Sequence, residues 1–360
     1  MITQILPSAF AAVGSAAFTD SLGLAQRVGE VHRVVVLLVD GLGLQLLPRS
    51  AELTGAAAMA TVDELSCTMP STTPTSLVSL GTGTLPGEHG IVGFTVNVPG
   101  TDRVLTHIFW GDDPDPAVWQ PIPTTFARAG VPSAVVLPAA FAGSGLTRAA
   151  YGGAAFTGVR PEDDLVRAVL QVLPDNNLVF TYTSILDTAA HVHGIDSAQW
   201  QRAGASVATI IERLEAALPH DTALLVTADH GGLDVPVANR VDIDRDERLS
   251  AGLRVIAGEP RLRYLHTVAG ADADVLAAWR EVLGESAAVL SREEAIATGM
   301  FGQVTRSNAA RIGDVVAMCL ADNAILATAH EPPEVAALIG MHGAATAAET
   351  AIPLLSYGRG

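Results

Sequence analysis

The sequence predicts an α/β protein with a doubly wound, mostly parallel sheet sandwiched between helices and a small α+β insert. Two observations support this fold class. Short, largely β-branched apolar runs, such as the one within residues 33–39, are typical of strands buried on both faces. Longer stretches between them carry apolar residues at three- and four-residue spacing, which indicates helices. Strands that alternate with helices favour a parallel sheet.

Each element is predicted from its local pattern. The predicted strands are the apolar runs at residues 33–39, 134–137, 178–182 and 222–227. The predicted helices cover residues 162–173 and 197–217, and a further helix begins near Pro74, since proline is favoured in a first turn. Ligands of such sheets bind outside the carboxyl ends of the strands. The residues that follow the strands are therefore the first candidates for a site.

A rise in charge content after Asp234 marks a predicted insert. The following residues suggest short strands at 252–257 and 261–267 and short helices at 272–283 and 292–297. Apolar character returns in the final stretch, residues 332–357, which we interpret as a return to the main domain. We therefore expect a core domain formed by residues 1–234 and 334–360, with a small domain inserted at residues 235–333.

Composition and charge exclude several classes of function. The 360 residues include 21 Arg, no Lys and 38 acidic residues, and the formal net charge is −17. Without lysine the chain has neither a Schiff-base lysine nor a P-loop lysine. An acidic chain also repels duplex nucleic acid, whose binding needs a basic face. We therefore expect no binding to duplex nucleic acid.

Cysteine content and apolar runs bear on the compartment. Cys67 and Cys319 are too few for a disulfide framework or a cysteine-rich metal site. The apolar runs are far shorter than a bilayer span, and no basic residue precedes the mildly apolar N-terminal stretch. We expect a cytoplasmic protein without a membrane span or signal peptide. Nothing in the sequence indicates the oligomeric state.

Acidic residues follow three of the predicted strands, and histidines accompany two of these acids. The residues are Asp40 after the first strand, Asp187 with His191 after the third, and Asp229 with His230 after the fourth. An acid and a histidine four residues apart share one face of a helix or turn, so both can bind one metal ion. Two adjacent side chains on a turn can do the same.

His342, which lies between Met341 and Gly343, completes a set of three aspartates and three histidines. His193 is expected to have a supporting or structural role. Oxygen and nitrogen donors suit zinc or manganese better than metals that prefer soft ligands. Singly, such an aspartate is often a helix cap and such a histidine a turn residue. Together they favour a two-metal site, which suits an anionic, oxygen-rich substrate.

A hydroxyl-rich loop at residues 67–78 contains a candidate nucleophile. Pro70 and Pro74 punctuate this segment, which leads into the helix predicted to begin near Pro74. A hydroxyl at a helix start has backbone N–H groups and the positive end of the dipole nearby, which stabilise phosphoryl oxygens. Thr73 is therefore either a nucleophile or a helix N-cap, a position that favours serine and threonine.

The order of these motifs resembles that of the alkaline phosphatase superfamily. More closely, the sequence is similar to the type I phosphodiesterase / nucleotide pyrophosphatase family, whose nucleophile segment matches residues 70–91 without a gap. The motifs that carry the resemblance are Asp40-Gly41, the threonine-rich loop, GTGTLPGEHGI at residues 81–91, Asp187-x3-His191, Asp229-His230-Gly231 and His342-Gly343. The resemblance covers about residues 30–234 and 334–355 but not the insert, which corresponds by position to a substrate-selecting cap.

The resemblance implies an alkaline phosphatase-like fold and a phosphodiesterase or nucleotide pyrophosphatase with two divalent ions, zinc or alternatively manganese. One ion would be bound by Asp187, His191 and His342. The other would be bound by Asp40, Asp229 and His230, with Thr73 in contact with it. Thr73 would attack the phosphorus of a small phosphate ester or nucleotide, and water would hydrolyse the covalent intermediate.

Three further residues are candidates for contacts with substrate. Ser76 lies three residues after Thr73, where the resemblance implies an asparagine in diester-cleaving relatives, so Ser76 is the candidate oxyanion donor. This replacement leaves the preference for diesters open. Phe94 and Trp110 could stack on a leaving group, and packing in the core is the alternative for both.

Several alternative functions stay open at this point. A phosphomonoesterase or a phosphonate hydrolase of the same superfamily would use the same ligands. A cofactor-independent phosphomutase, a transferase, shares the metal sites but usually uses serine and manganese. A non-catalytic phosphate-binding relative disagrees with the complete ligand set. A sulfatase is excluded because Cys67 does not begin the required C-x-P-x-R pattern.

Overall fold

The computed structural model describes residues 1–160 and 164–358. Two sheets contain eleven of its strands. In chain order these are β1 Arg33–Val39, β2 Thr61–Ser66, β3 Ser133–Pro138, β4 Ala155–Val159, β5 Leu178–Thr183, β6 Thr222–Thr227, β7 Leu253–Glu259, β8 Leu262–Thr267, β9 Ala287–Ser291, β10 Val315–Cys319 and β11 Ala351–Tyr357. Three two-stranded ladders pair Thr95–Asn97 with Val104–Thr106, Leu233–Asp234 with Gly340–Met341, and Arg240–Asp242 with Ala324–Leu326.

The large sheet has the strand order β2-β11-β6-β1-β5-β3-β4. The five strands from β6 to β4 in this order pair in parallel, whereas β11 is antiparallel to both of its neighbours. Helices flank this sheet. The predicted fold class, a doubly wound and mostly parallel α/β sheet, is therefore confirmed.

The central strands are apolar along their whole length because both of their faces are covered. Six of the seven residues of β1 are buried, and all six residues of both β5 and β6 are buried. The structure gives β1 and β6 the predicted bounds and extends β3 and β5 slightly. Consecutive apolar residues are thus a reliable signal for strands in the middle of this sheet.

Three strands of the large sheet were not predicted. The edge strand β2 is mostly exposed, and the other edge strand β4 is only partly buried, so neither has a continuous apolar run. β11 is fully buried but contains Pro353, a residue that usually argues against an internal strand. Tertiary packing determines these strands more than their local pattern does.

The α-helices vary from four to twenty residues in length. They are Ile5–Ala12, Leu24–Val28, Ala51–Ala57, Thr73–Thr82, Pro86–His89, Pro116–Trp119, Thr125–Arg128, Gly145–Tyr151, Leu165–Val172, Ile185–His193, Ala198–Ala217, Glu247–Ser250, Asp272–Leu283, Arg292–Ala297, Arg306–Ala309, Pro333–Ala337 and Ala347–Thr350. Among the described residues, none of these helices has both the length and the apolar character needed to cross a membrane.

Side-chain caps define where the predicted helices begin. The long helix starts at Ala198 because Ser197 Oγ accepts a hydrogen bond from the Trp200 N–H over 3.1 Å. Asp164 caps the helix Leu165–Val172 in the same way. The start predicted at residue 162 falls on residues 161–163, which lie outside the described residues.

The second sheet, in the order β7-β8-β10-β9, is antiparallel throughout. All four of its strands come from the predicted insert, and the helices Asp272–Leu283 and Arg292–Ala297 have the predicted bounds. Trp279 and its neighbours form an apolar cluster of their own, whereas Tyr264 packs into the main core and donates to the Val92 carbonyl over 2.6 Å. The division into two domains stays a prediction.

Trp279→Ala is expected to destabilise the protein by about 3–5 kcal/mol, the usual cost of truncating a buried aromatic residue. The Trp279 side chain is fully buried, and its indole N–H donates to the Leu249 carbonyl over 3.0 Å. Urea unfolding measures the effect, and Trp279→Phe, which keeps a ring, should lose less stability. A loss below about 1 kcal/mol for the alanine variant would show that this cluster is not a core.

Candidate metal centre and active site

Three acidic residues meet at one edge of the large sheet. Asp40 directly follows β1, Asp229 follows β6, and Asp187 lies in the helix Ile185–His193 after β5. Since β1 lies between β5 and β6, the carboxyl ends of the three strands are neighbours. This edge is the usual binding edge of a doubly wound sheet.

Gly41 allows the acids to approach each other because it has no side chain. Its φ of +73° lies in the left-handed region, and a Cβ atom there would come within 2.9 Å of Asp187 Cβ. The Gly41 N–H also donates to Asp229 Oδ1 over 3.2 Å. The turn after β1 therefore holds the acids of both neighbouring strands close to Asp40.

The first candidate metal group consists of Asp187, His191 and His342, whose ligand atoms lie within 4.8 Å of one another. One turn of helix separates Asp187 from His191, and His191 Nε2 lies 3.0 Å from Asp187 Oδ2. His342 comes from the segment before β11, and its Nε2 lies 4.0 Å from Asp187 Oδ1. The structure brings these three side chains together, and their role as ligands of one ion stays a prediction.

The second candidate group consists of Asp40, Asp229 and His230, again within 4.8 Å of one another and all buried. His230 Nε2 lies 3.4 Å from both Asp40 Oδ1 and Asp229 Oδ2. The rings of His230 and His342 stack with their centroids 3.7 Å apart, so the two groups are adjacent. Six donors from distant parts of the sequence therefore share one site.

Backbone carbonyl groups orient all three histidines in the same way. The Nδ1–H groups of His191, His230 and His342 donate to the carbonyl oxygens of Gly340, Gly231 and Ser71 at 2.7, 2.9 and 2.9 Å. A carbonyl oxygen only accepts, so Nδ1 carries the proton in each ring. Each Nε2 atom then faces the carboxylates, which is the orientation of histidines that bind metal ions.

Two buried carboxylate oxygens indicate that the site fits cations. Among the described residues, Asp40 Oδ1 and Asp229 Oδ2 have no hydrogen-bond partner. Burial of an unpaired carboxylate is costly, and a coordinated cation removes that cost. The first group has one carboxylate and two imidazoles, and the second has two carboxylates and one imidazole. Both sets of donors suit zinc or manganese. The donor set therefore fits two divalent ions.

Burial and mutual repulsion strongly raise the pKa values of the two aspartates in the second group. Burial, together with the charges of Asp229 and Asp187, raises the pKa of Asp40 well above its usual range. Burial and the Asp187 charge raise the pKa of Asp229 to about 7. Burial disfavours the charged form of His191, but the neighbouring Asp187 carboxylate outweighs it and raises the pKa of His191 to about 9. The site is thus crowded with negative charge.

Thr73 lies beside the second group at the start of a helix. Its half-buried hydroxyl is 3.1 Å from His230 Nε2, which accepts because Nδ1 carries the ring proton. The residue at the N-cap position is Thr72, and Thr73 is the first residue of the helix Thr73–Thr82. The alternative that Thr73 serves as the N-cap is therefore wrong, since the structure assigns that position to Thr72.

The other hydroxyls of this segment have different surroundings. Thr72 Oγ1 and Thr75 Oγ1, on either side of Thr73, are buried and have no hydrogen-bond partner among the described residues. Ser76 is fully buried, and its hydroxyl lies 3.4 Å from Thr68 Oγ1. A role for Ser76 as an oxyanion donor stays a prediction, and Thr72 and Thr75 are additional candidates that sequence reasoning missed.

Trp110 and Phe94, the candidates for stacking on a leaving group, have different positions. Trp110 is only 2% exposed, its indole N–H donates to the Pro114 carbonyl over 2.8 Å, and Gly145 packs against its ring. This burial and these contacts favour the alternative of packing in the core for Trp110. Phe94 is half-buried beside the strand Thr95–Asn97, and its role stays a prediction.

Tyr182, His193 and His89 differ in their contacts. The Tyr182 hydroxyl at the end of β5 donates to Asp40 Oδ2, a contact with no sequence signal beyond its place in an apolar strand. His193 is exposed. His89 of the PGEHGI segment is buried, accepts from the Ile91 N–H over 3.1 Å and lies 2.7 Å from Ser79 Oγ, so it stabilises the turn.

Comparison with curated proteins finds no match. Solved structures do share the fold. Human ectonucleotide pyrophosphatase / phosphodiesterase 5 has a TM-score of 0.73 at 16% identity, covering 91% of this chain and 88% of that chain. An inactive variant of the murine protein in complex with AMP has a TM-score of 0.70 at 18% identity, with coverages of 91% and 88%. Phosphonoacetate hydrolase from Sinorhizobium meliloti 1021 in complex with phosphonoformate has a TM-score of 0.68 at 18% identity, covering 91% of this chain and 90% of that chain.

A family model matches most of the sequence. The model described as type I phosphodiesterase / nucleotide pyrophosphatase matches residues 34–345. That range includes both candidate metal groups and the Thr73 helix. The chain therefore belongs to the type I phosphodiesterase / nucleotide pyrophosphatase family, a family of phosphoric ester hydrolases.

Proposed function

We propose that this protein hydrolyses phosphodiester or nucleotide-type substrates through a covalent intermediate on Thr73, with two divalent ions, preferably zinc. The observation that carries the proposal is the contact between the Thr73 hydroxyl and the second metal group, 3.1 Å from His230 Nε2. Both groups of three donors are complete. A solved relative that is an inactive variant, with alanine in place of threonine, in complex with AMP supports a threonine nucleophile.

The two groups would hold one ion each. Asp187, His191 and His342 would bind the first ion. Asp40, Asp229 and His230 would bind the second ion next to Thr73. When bound, such ions lower the pKa of a nearby hydroxyl and stabilise the charge that develops on the phosphoryl oxygens. Three carboxylates contribute −3 and two divalent ions +4, so the site would attract a phosphate within a chain of net charge −17.

The chain's own residues would carry the reaction in two steps. Thr73 Oγ1 gives its proton to solvent water and attacks phosphorus, the P–O bond to the leaving group breaks, and the leaving group takes up a proton from solvent water. Water then attacks the same phosphorus, the bond to Thr73 Oγ1 breaks, and the threonine hydroxyl regains a proton. The phosphate or phosphate monoester is released, and the enzyme returns to its initial state.

Backbone and hydroxyl groups near Thr73 would stabilise the phosphoryl oxygens. The N–H groups of a first helical turn have no partner within the helix, and the dipole there favours negative charge. The buried hydroxyls of Thr72 and Thr75 flank the nucleophile. These groups would supply the donors that Ser76, whose hydroxyl faces Thr68, is not seen to offer.

A phosphomonoesterase or a phosphonate hydrolase is the second candidate. The similarity to phosphonoacetate hydrolase, with a TM-score of 0.68, is close to that of the phosphodiesterase structures. Ser76 also occupies the position where diester-cleaving relatives are expected to have an asparagine, so this position does not support a preference for diesters. A phosphomutase remains the less favoured alternative, since Thr73 rather than serine occupies the nucleophile position.

Thr73→Ala is expected to lower the turnover of p-nitrophenyl phosphate esters by at least ~100-fold, because it removes the nucleophile. Both metal ions should remain bound, since six other donors stay in place. Thr73→Ser keeps a hydroxyl at the same place and should retain more activity than the alanine variant. Wild-type activity in Thr73→Ala would disprove the assignment of the nucleophile.

Removal of metal ions by EDTA is expected to abolish hydrolysis, and added zinc should restore it more fully than manganese. His342→Ala should lower the bound metal by about one equivalent per chain, because the first group loses one of its three ligands. His193→Ala changes an exposed histidine two residues beyond His191 and should keep both equivalents. Metal analysis after gel filtration gives the counts, and equal counts in the two variants would contradict the ligand assignment.

A side-by-side comparison of substrates tests the substrate class. We expect the p-nitrophenyl ester of thymidine monophosphate to be cleaved with a higher kcat/KM than p-nitrophenyl phosphate or a p-nitrophenyl phosphonate. The reason is the family to which the chain belongs. A higher kcat/KM for the monoester or the phosphonate would favour the second candidate function. Isomerisation of a sugar phosphate without release of phosphate would favour the phosphomutase.

A further inference from the structure

The turn between β7 and β8 of the second sheet contacts the segment that carries His342. Gly343, directly after this histidine, has a φ of +129°, and a Cβ there would meet Glu259 Cγ at 2.8 Å and Arg261 Cβ at 3.2 Å. Only glycine therefore lets the hairpin approach so closely. The second sheet thus packs directly against a proposed metal ligand.

Arg261 in this turn forms a fully buried ion pair with Glu349. Arg261 Nε donates to Glu349 Oε1 over 3.0 Å, and Arg261 Nη2 donates to Glu349 Oε2 over 2.8 Å. Both side chains are 0% exposed. Two parallel hydrogen bonds of this kind define the orientation of the carboxylate as well as its place.

The Glu349 carboxylate in turn fastens the loop after His342. Its Oε1 accepts from the Ala344 N–H over 2.9 Å. Its Oε2 accepts from the Thr346 N–H over 3.2 Å and from the Thr346 hydroxyl over 2.6 Å. The Glu349 carbonyl oxygen also accepts from the N–H of Gly231, next to His230, over 2.8 Å.

Ser71 links the same loop to the nucleophile segment. The Ser71 hydroxyl donates to the Ala344 carbonyl over 2.7 Å and accepts from the Gly343 N–H over 3.1 Å. Its carbonyl oxygen accepts from His342 Nδ1–H, as described above. The chain of contacts therefore runs from Arg261 through Glu349 and its loop to His342 and the residues before Thr73.

We propose that Arg261 is a positioning residue that sets the place of His342 through Glu349, so that the second sheet helps to form one of the metal sites. This inference rests on the proposed function, because it requires that His342 binds a metal ion. Arg261 itself touches none of the six proposed ligands in the contacts of the described residues and acts only through the loop.

Strand β8, which follows this turn, offers a control arginine of the same charge. Arg263, two residues along the chain, makes an equivalent pair with Glu331 at 2.5 and 2.7 Å and is 1% exposed. Its other donors bind the Ile325 carbonyl oxygen. Arg263→Met therefore removes a bidentate pair of a buried arginine with the partly exposed Glu331, without removing any contact to the loop of His342.

The test measures zinc dissociation constants of the full chain by competition with a chromophoric chelator, after dialysis against EDTA. Arg261→Met should raise one of the two dissociation constants by about 10–100-fold, the usual effect of losing a group that orients a metal ligand. The other constant should change by less than about 3-fold. Arg263→Met should leave both constants as in the wild type while lowering the melting temperature.

The His342→Ala variant serves to identify which metal site is weakened by Arg261→Met. His342→Ala should already lack the affected site, so Arg261→Met added to it should not change the remaining constant, because the two substitutions act on one site. If Arg261→Met fails to fold, Arg261→Met combined with Glu349→Gln removes both buried charges, and the same comparison decides. Melting temperatures of all variants report folding independently of metal binding.

The outcomes separate this inference from the proposed function. Wild-type protein that binds no zinc would overturn the proposed metal sites, and the inference with them. Wild-type binding of two ions, with unchanged constants in Arg261→Met or the double variant, would overturn the inference alone. Equal weakening of both sites in the Arg261 and Arg263 variants would do the same, since it would indicate a general loss of stability.

Discussion

The structure of the site depends on the burial of three carboxylates at one edge of the large sheet. Three adjacent parallel strands bring Asp40, Asp187 and Asp229 together. Burial of even one carboxylate costs roughly several kcal/mol unless other interactions compensate for it. Hydrogen bonds from Tyr182 and Gly41 compensate part of this cost, and two oxygens remain without partners. His230 Nε2 lies 3.4 Å from both of these oxygens, and we propose that bound cations supply the remaining compensation. The order of the strands thus brings the donors of both candidate metal groups together.

The sequence predicts the parts of the site that follow from local rules. Asp40, Asp187 and Asp229 come directly after apolar runs or within a turn of them, and the carboxyl ends of parallel strands share an edge. The spacing between Asp187 and His191 is one helical turn, so their proximity is also local. His342 was grouped with them through the family resemblance, since no local pattern connects it with residues about 150 positions earlier. The Thr73 helix begins where Pro74 suggests.

The remaining features depend on contacts between distant segments, and local patterns do not encode them. Trp110 is an aromatic residue of the kind that stacks on leaving groups, yet Gly145 packs against its ring and its side chain is buried in the core. β11 is an internal strand despite Pro353, because burial between β2 and β6 outweighs the lost donor. Arg261 and Glu349 are separated by 88 residues, so no spacing rule could pair them. Their charges alone would suggest two solvated side chains.

The place of β11 in the sheet has a consequence for biosynthesis. This strand is inserted between β2 and β6, and the segment just before it carries His342. During translation, the proposed nucleophile Thr73 and five of the six proposed ligands leave the ribosome long before these residues. The nascent chain therefore has an incomplete sheet with unpaired strand edges beside its buried acids until β11 is available. Unpaired strand edges of this kind can pair with other chains, so the late place of β11 favours completion of the sheet as the last step of folding.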